Sequence, residues 1–522
     1  APAAQRGRVP CPARRGAGDA PPARPAAAFP SIKEHPVTNH PSAASVATMP
    51  PARLEPDAIG VTQDTVIGMA SSAPAATVGL SLAALAAATA YGSGPILIIT
   101  AIPMLIIANA YRQLNMWSAN CGASFEWVGR AISPYLGFLT GWLMIVAYLA
   151  GTVSGVEVLG PSVLAVFGSG NGSTRGDIAI GTAVCLVMLG IAVAGIRITA
   201  RTQVSMAIVE YAIVIGFAIA GLAVVLSHHP GTFPVTRNWL SPTGIGGRGG
   251  LTSGFLVAVF IFAGWDGTLY VNEEVKHRRV NPGRAAIWAV ALLAVFYTFA
   301  QVGLQGVVSP SRLQNHATTA PVYVATALAG SGWAKVMALA IALSVIATVG
   351  TGIVLTARII YGMASRRVLP GFLANVWPRF ATPGPASILA CLLLIAIFWA
   401  YLLATSVQGA FNDIIAVTGQ LFAIFYVLTA LATIVYYRRR VVATTREFLF
   451  LGALPLAAAG FLGWITYRSV HQAPAAQNWS LAGIVVAGLV LMLAARFILR
   501  SPFFGIRRES FTGTSLRAWA RS

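Results

Sequence analysis

Between residues 65 and 499, apolar runs of about 20 residues recur twelve times, separated by polar or glycine- and proline-rich connections. About 20 residues of helix cross the hydrocarbon core of a bilayer. A backbone placed in lipid has to satisfy its N–H and C=O groups internally, as helices or as a closed barrel. Barrel strands would alternate in segments of about ten residues, so the pattern predicts an all-α polytopic membrane protein. Of 522 residues, 56% are hydrophobic and 10% charged, against about 25% charged in a soluble domain.

The first five spans are expected near 65–90, 95–112, 135–167, 177–196 and 204–227, and the next five near 251–273, 285–309, 333–362, 386–405 and 411–437. Two more are expected near 447–467 and 480–499. The transporter domain is thus read as residues 59–500, flanked by a disordered, basic, Pro- and Ala-rich tail (1–58) and a basic tail (501–522). The formal charge of +20 does not imply a nucleic-acid partner. Arginine and lysine gather at one set of connections: Arg112 and Arg130, Arg197 and Arg201, Lys276 to Arg284, Arg366 to Arg379, and Arg438 to Arg446. Positive connections mark the cytoplasmic side, which places both termini there, in a cell (plasma or inner) membrane. The four cysteines lack metal-ligand or CxxC spacing and are expected as free thiols.

Spans one and six are interrupted. In span one the interruption is GMASSAPAATVG at residues 68–79, and in span six FAGWDG at residues 262–267. Interruptions at matching places of two five-helix halves point to the substrate site of a transporter. At a break, freed N–H groups attract an anion and freed carbonyls a cation, so two breaks suit the two charges of an amino acid backbone. In span one, Gly68, Met69, Ala70, Ser71, Ser72 and Ala73 are the expected binding segment. Ser71 and Ser72 are read as N-caps and Pro74 as the first residue of the restarted helix, which receives the substrate carboxylate. In span six, the carbonyls of Phe262, Ala263 and Gly264 are expected to receive the ammonium, with Asp266 helping or gating and Gly267 loosening the helix. Trp265 reads equally as an aromatic wall for the substrate and as a packed side chain.

A carboxylate at membrane depth is costly and marks function or a partner. Glu210, about six residues inside the expected start of span five, is a candidate for a coupling proton or for pairing with a basic loop. Glu157 is expected at a solvated outer rim. Thr348 and Thr351 of span eight are further coupling or gating candidates. Gly137/Gly141 and Gly151/Gly155 in span three are expected only to let helices pack. No HExxH, GxSxG or Walker motif is present, and all seven histidines fall in tails or loops. No catalytic residue, metal or cofactor is therefore expected. Neither a membrane-embedded enzyme nor a sensor with a soluble domain fits. The partners expected are a small amino acid or related amine, a coupling proton and the lipid bilayer, with a polyamine or other organic cation as the alternative cargo.

Three stretches resemble the amino acid–polyamine–organocation (APC) superfamily of permeases. They are GWDGTLYVNEEVKHRRVNPGRAAI (264–287), TARIIYGMASRRVLPGFLANVWPRFATPGPAS (356–387) and GASFEWVGRAISPYLGFLTGW (122–142). The resemblance covers about residues 60–500. It implies a leucine-transporter-like fold, a five-plus-five inverted repeat with broken helices one and six and two extra helices. It also implies amino acid or amine transport by alternating access, driven by protons or by exchange. Where many members carry a glycine-rich break in span one, this chain has MASSAPA, and span five contains no lysine.

Overall fold

Every apolar run closes its own hydrogen-bond ladder as helix. A computed structural model describes residues 53–168, 173–241, 247–316, 319–404 and 407–511; most of both expected tails lies outside the described residues. The first half contains α1 (Val61–Ala70), α2 (Pro74–Thr89), α3 (Ser93–Trp117), α4 (Ser124–Ala131), α5 (Pro134–Val166), α6 (Thr174–Ala194) and α7 (Ile196–Leu226). The second contains α8 (Gly247–Ile261), α9 (Asn281–Gln305), α10 (Pro310–Asn315), α11 (Ala320–Ala329), α12 (Ser331–Ser365), α13 (Gly384–Ala404) and α14 (Val407–Tyr436). Four more follow: α15 (Arg438–Val441), α16 (Thr445–Phe448), α17 (Leu454–Gln472) and α18 (Ala475–Phe497). Among the described residues, eleven helical stretches are long and apolar enough to cross a membrane, and twelve if the bent stretch over residues 61–89 is counted as one span.

Two boundaries differ from expectation, with consequences for the site. Span five begins at Ile196, directly after Gly195 with φ 124°, and not near 204. Glu210 therefore lies 14 residues into α7, about 21 Å at 1.5 Å per residue, near the middle of that helix and not near its start. Span one begins at Val61, which brings Asp64 inside it.

Helix packing follows the small residues only in part. A Cβ on Gly137 of α5 would sit 2.4 Å from the Cα of Gly129 in α4, so these glycines do allow close contact. Gly151 and Gly155, about four and five turns further along the same helix, open instead onto a cavity.

One end of the bundle is held by polar ties. The backbone N–H groups of Ala58 and Ile59 both donate to the carbonyl of Glu274, at 2.8 and 3.1 Å, and Lys276 N–H donates to Ile59 at 2.9 Å. Residue 58, the last of the expected tail, and residue 59 are thereby docked beside the end of span six. The Glu274 carboxylate is fully buried and takes two hydrogen bonds from the equally buried Arg358 of α12, at 2.9 and 3.0 Å. Glu126 of α4 is shared by Arg130 and Arg366, and Arg130 in turn forms a two-point pair with Glu509, at 2.9 and 2.7 Å. Phe503 stacks on Phe125 at 4.6 Å, so residues 501–511 pack on α4 and on the C-terminal ends of α12 and α14.

Candidate substrate site

Between Ala70 and Pro74 the chain leaves helical geometry through Ala73, at φ 45° and ψ 61°. Pro74 opens α2, where its missing N–H costs nothing. The serines do not cap this helix as expected: Ala73 holds the cap position, and both hydroxyls turn across to span six. Ser72 Oγ donates to the carbonyl of Ala263 at 2.7 Å, and Ser71 Oγ donates to Gly264 and, at 2.8 Å, to Gly68. The carbonyls of Ala263 and Gly264 that were expected to receive an ammonium thus already accept from serine. The break is braced by three further contacts. Thr348 Oγ1 donates to Ala70 at 2.9 Å, Tyr297 donates to the Ser72 carbonyl at 3.2 Å, and Ala75 N–H donates to Ser344 Oγ at 3.1 Å.

Span six breaks after Ile261. Gly264 has φ 106°, and a Cβ there would lie 2.9 Å from the Ser71 carbonyl, so both conformation and clearance require glycine. Beyond it the chain continues as a 3-10 turn, Trp265–Leu269. Asp266 is fully buried and accepts from three tyrosines on three elements: Tyr148 of α5 at 2.9 Å, Tyr426 of α14 at 2.7 Å, and Tyr270. Tyr148 also reaches the Gly264 carbonyl at 3.3 Å. Trp265, for which two readings were open, is packed: its ring stacks on Tyr426 at 5.3 Å and meets Tyr111 edge-on at 5.2 Å.

A small cavity, partly open to solvent, lies where these elements meet. Of the expected residues it is lined by Ser71, Ser72, Ala73, Ala263 and Thr348. Gly68, Met69, Ala70, Phe262, Gly264, Trp265, Asp266 and Gly267 stand behind this wall, and Thr351 bonds within its own helix, to Ala347 and Thr348. Sequence reasoning missed Tyr148, Thr152, Phe260, Thr418 and Phe422, which complete the walls. The only signal for the α5 side was the spacing of Gly151 and Gly155.

Glu210 does not line the cavity; it is fully buried, and neither carboxylate oxygen has a hydrogen-bond partner within standard geometry. Its neighbours include Ser344 and Tyr297, both of which brace the span-one break. Glu157 is not at a solvated rim: it is 4% exposed, with both oxygens unpartnered, because α5 is covered there by neighbouring helices. Asp64 is likewise buried and unpartnered. Among the described residues no group of three or more His, Cys, Asp or Glu side chains could hold a metal ion.

Residues 62–502 match the amino acid permease family of the APC superfamily. The chain belongs to that family. It is a multi-pass membrane protein, and the family and its relatives are transporters, not enzymes. The chain is similar to the Asc-type amino acid transporter 1 of Mus musculus, 31% identical over 153 residues, which are 29% of this chain and 28% of that protein. It is also similar to the D-serine/D-alanine/glycine transporter of Escherichia coli K12, 22% identical over 65% of this chain and 71% of that protein. A third relative is the methylthioribose transporter of Bacillus subtilis, 26% identical over 56% and 65% respectively. The chain thus spans little more than a quarter of the length of the Asc-type relatives. The crystal structure of a mutant manganese transporter from Eremococcus coleocola superposes with a TM-score of 0.57 at 13% identity, covering 84% of this chain and 95% of that one. At that identity the likeness concerns the fold alone, which is the leucine-transporter fold.

Proposed function

We propose that the protein is a secondary active transporter that carries amino acids across the cytoplasmic membrane by alternating access, coupled to protons or to exchange. Residues 59–500 form the transporting unit, and both termini lie on the cytoplasmic side. The observation that carries this reading is the direct joining of two broken helices beside a cavity, through Ser72 to Ala263 and Ser71 to Gly264. The break in span one offers helix-terminal N–H groups to a carboxylate, and the break in span six offers carbonyls to an ammonium once the serines let go. Gly68 to Ala73 and Phe262 to Gly267 are the substrate segment, with Glu210, Thr348 and Thr351 as coupling or gating groups.

A polyamine is favoured less, because among the described residues the cavity wall holds no carboxylate and Asp266 is engaged by three hydroxyls. Two or more ammonium groups would enter without a countercharge. Uptake into proteoliposomes tests the proposal, with labelled amino acids and polyamines, with and without an inward proton gradient. Gradient-driven accumulation of amino acids is expected of a symporter, and uptake only into preloaded vesicles of an exchanger. Uptake of polyamines alone would overturn the reading.

A further inference from the structure

A second cavity lies beside the first, between α2, α8, α14 and α17. Its wall includes Ser81, Val257, Phe260, Gly419, Gln420 and Ser469. Phe260 belongs to both cavities, and on α14 the consecutive residues Thr418 and Gly419 face the first and the second. The two spaces therefore lie side by side, with Phe260 between them. Gly419 packs directly on that residue, its Cβ position 3.5 Å from the Phe260 Cβ.

The second cavity is mostly apolar but has one polar end. Gln420 is 1% exposed; its Nε2 donates to Ser469 Oγ at 2.7 Å, while its Oε1 is buried with no partner. A buried amide oxygen left unpaired is costly, and a donor supplied by a ligand removes that cost. Among the described residues none that lines the cavity is ionisable, so a charged group entering it would be stranded.

Building on the amino acid function above, we propose that this second cavity receives the side chain of the substrate once Phe260 turns aside. It would select neutral amino acids whose side chain is apolar along its length and ends in a hydrogen-bond donor for Gln420 Oε1, as glutamine and tryptophan do. The first cavity, where the two breaks meet, then keeps the α-carboxylate and α-ammonium.

The test is uptake of labelled glutamine, leucine, alanine, lysine and glutamate by the full chain in proteoliposomes. The wild type should take up glutamine in preference to lysine and glutamate. In Gln420→Leu, the glutamine-to-leucine ratio of kcat/KM should fall about fivefold to tenfold, the worth of one hydrogen bond, with alanine uptake unchanged. Gly419→Val, which fills the space beside Phe260, should reduce uptake of glutamine and leucine and spare alanine; it also serves if Gln420→Leu does not reach the membrane. An unchanged glutamine-to-leucine ratio in Gln420→Leu, or equal losses for all substrates in both variants, would overturn the inference and leave amino acid transport standing. If the wild type takes up no amino acid, the functional proposal and this inference both fall.

Discussion

Ser72 of span one donates its hydroxyl hydrogen bond to the carbonyl of Ala263 in span six, at 2.7 Å. This bond joins the two breaks beside the cavity and fills an acceptor that a bound ammonium could take. Replacing Ser72 with alanine leaves a buried carbonyl unpaired, at a cost of about 1–3 kcal/mol. Ser72→Ala is expected to lower kcat/KM for uptake about tenfold at equal membrane abundance, with Ser72→Thr retaining part of the activity. Uptake kinetics identical to the wild type would separate this bond from transport.

Asp266 gathers hydroxyls from α5, α14 and its own segment. An asparagine has one acceptor oxygen where the carboxylate has two, and it brings an amide donor among hydroxyls that were donating. Asp266→Asn should reach the membrane in normal amount and transport at least about tenfold more slowly, as expected for loss of a hydrogen bond to a charged group. Tyr148→Phe, which removes one of three donors, should have a smaller effect. If Asp266→Asn transports normally, the tyrosine cage is a packing feature only.

Gly264 has φ 106° and no room for a side chain. Gly264→Ala should cost about 1–3 kcal/mol in backbone strain, in addition to displacing the Ser71 carbonyl 2.9 Å away. A lower melting temperature in detergent, together with lost uptake, is the expected result. A melting curve that overlays the wild type would show that the break relaxes without strain.

Arg358 and Glu274 form an ion pair buried on both sides. Removing one partner strands the other, a loss of about 3–5 kcal/mol, whereas exchanging both for apolar residues of similar volume is far milder. Arg358→Ala should therefore be poorly recovered from membranes, and Arg358→Met combined with Glu274→Leu should recover better. Fluorescence-detected size-exclusion chromatography of the two would decide, and equal recovery would argue against the pair as a stability element.

The spans were legible because apolar length is a physical requirement of the bilayer. The breaks were legible because Gly264 and Asp266, and the Ser71–Pro74 segment, are residues that a helix in lipid tolerates poorly. What the serines do was not legible: their caps were expected locally, but their partners lie in span six, and that pairing depends on tertiary approach. Tyr148 and Tyr426 sit in apolar runs where an aromatic residue signals nothing in particular, so the cage around Asp266 had no local mark. Glu210 was placed too near the surface because the start of α7 is rich in Thr, Arg and Gln, which resembles a loop until the helix is seen to pass through it.

The backbone bridge between Ile59 and Val275 makes a fixed ruler at one end of the bundle. With the serine bonds at the breaks, it rivets the first segment of span one to the end of span six at two levels. Spin labels on the exposed residues Asp57 and His277, just outside the bridge, should report a single separation whatever the transport state. Distances from either label to α12 can then be measured against that constant, so that movement of the broken pair as one body is distinguished from bending within it.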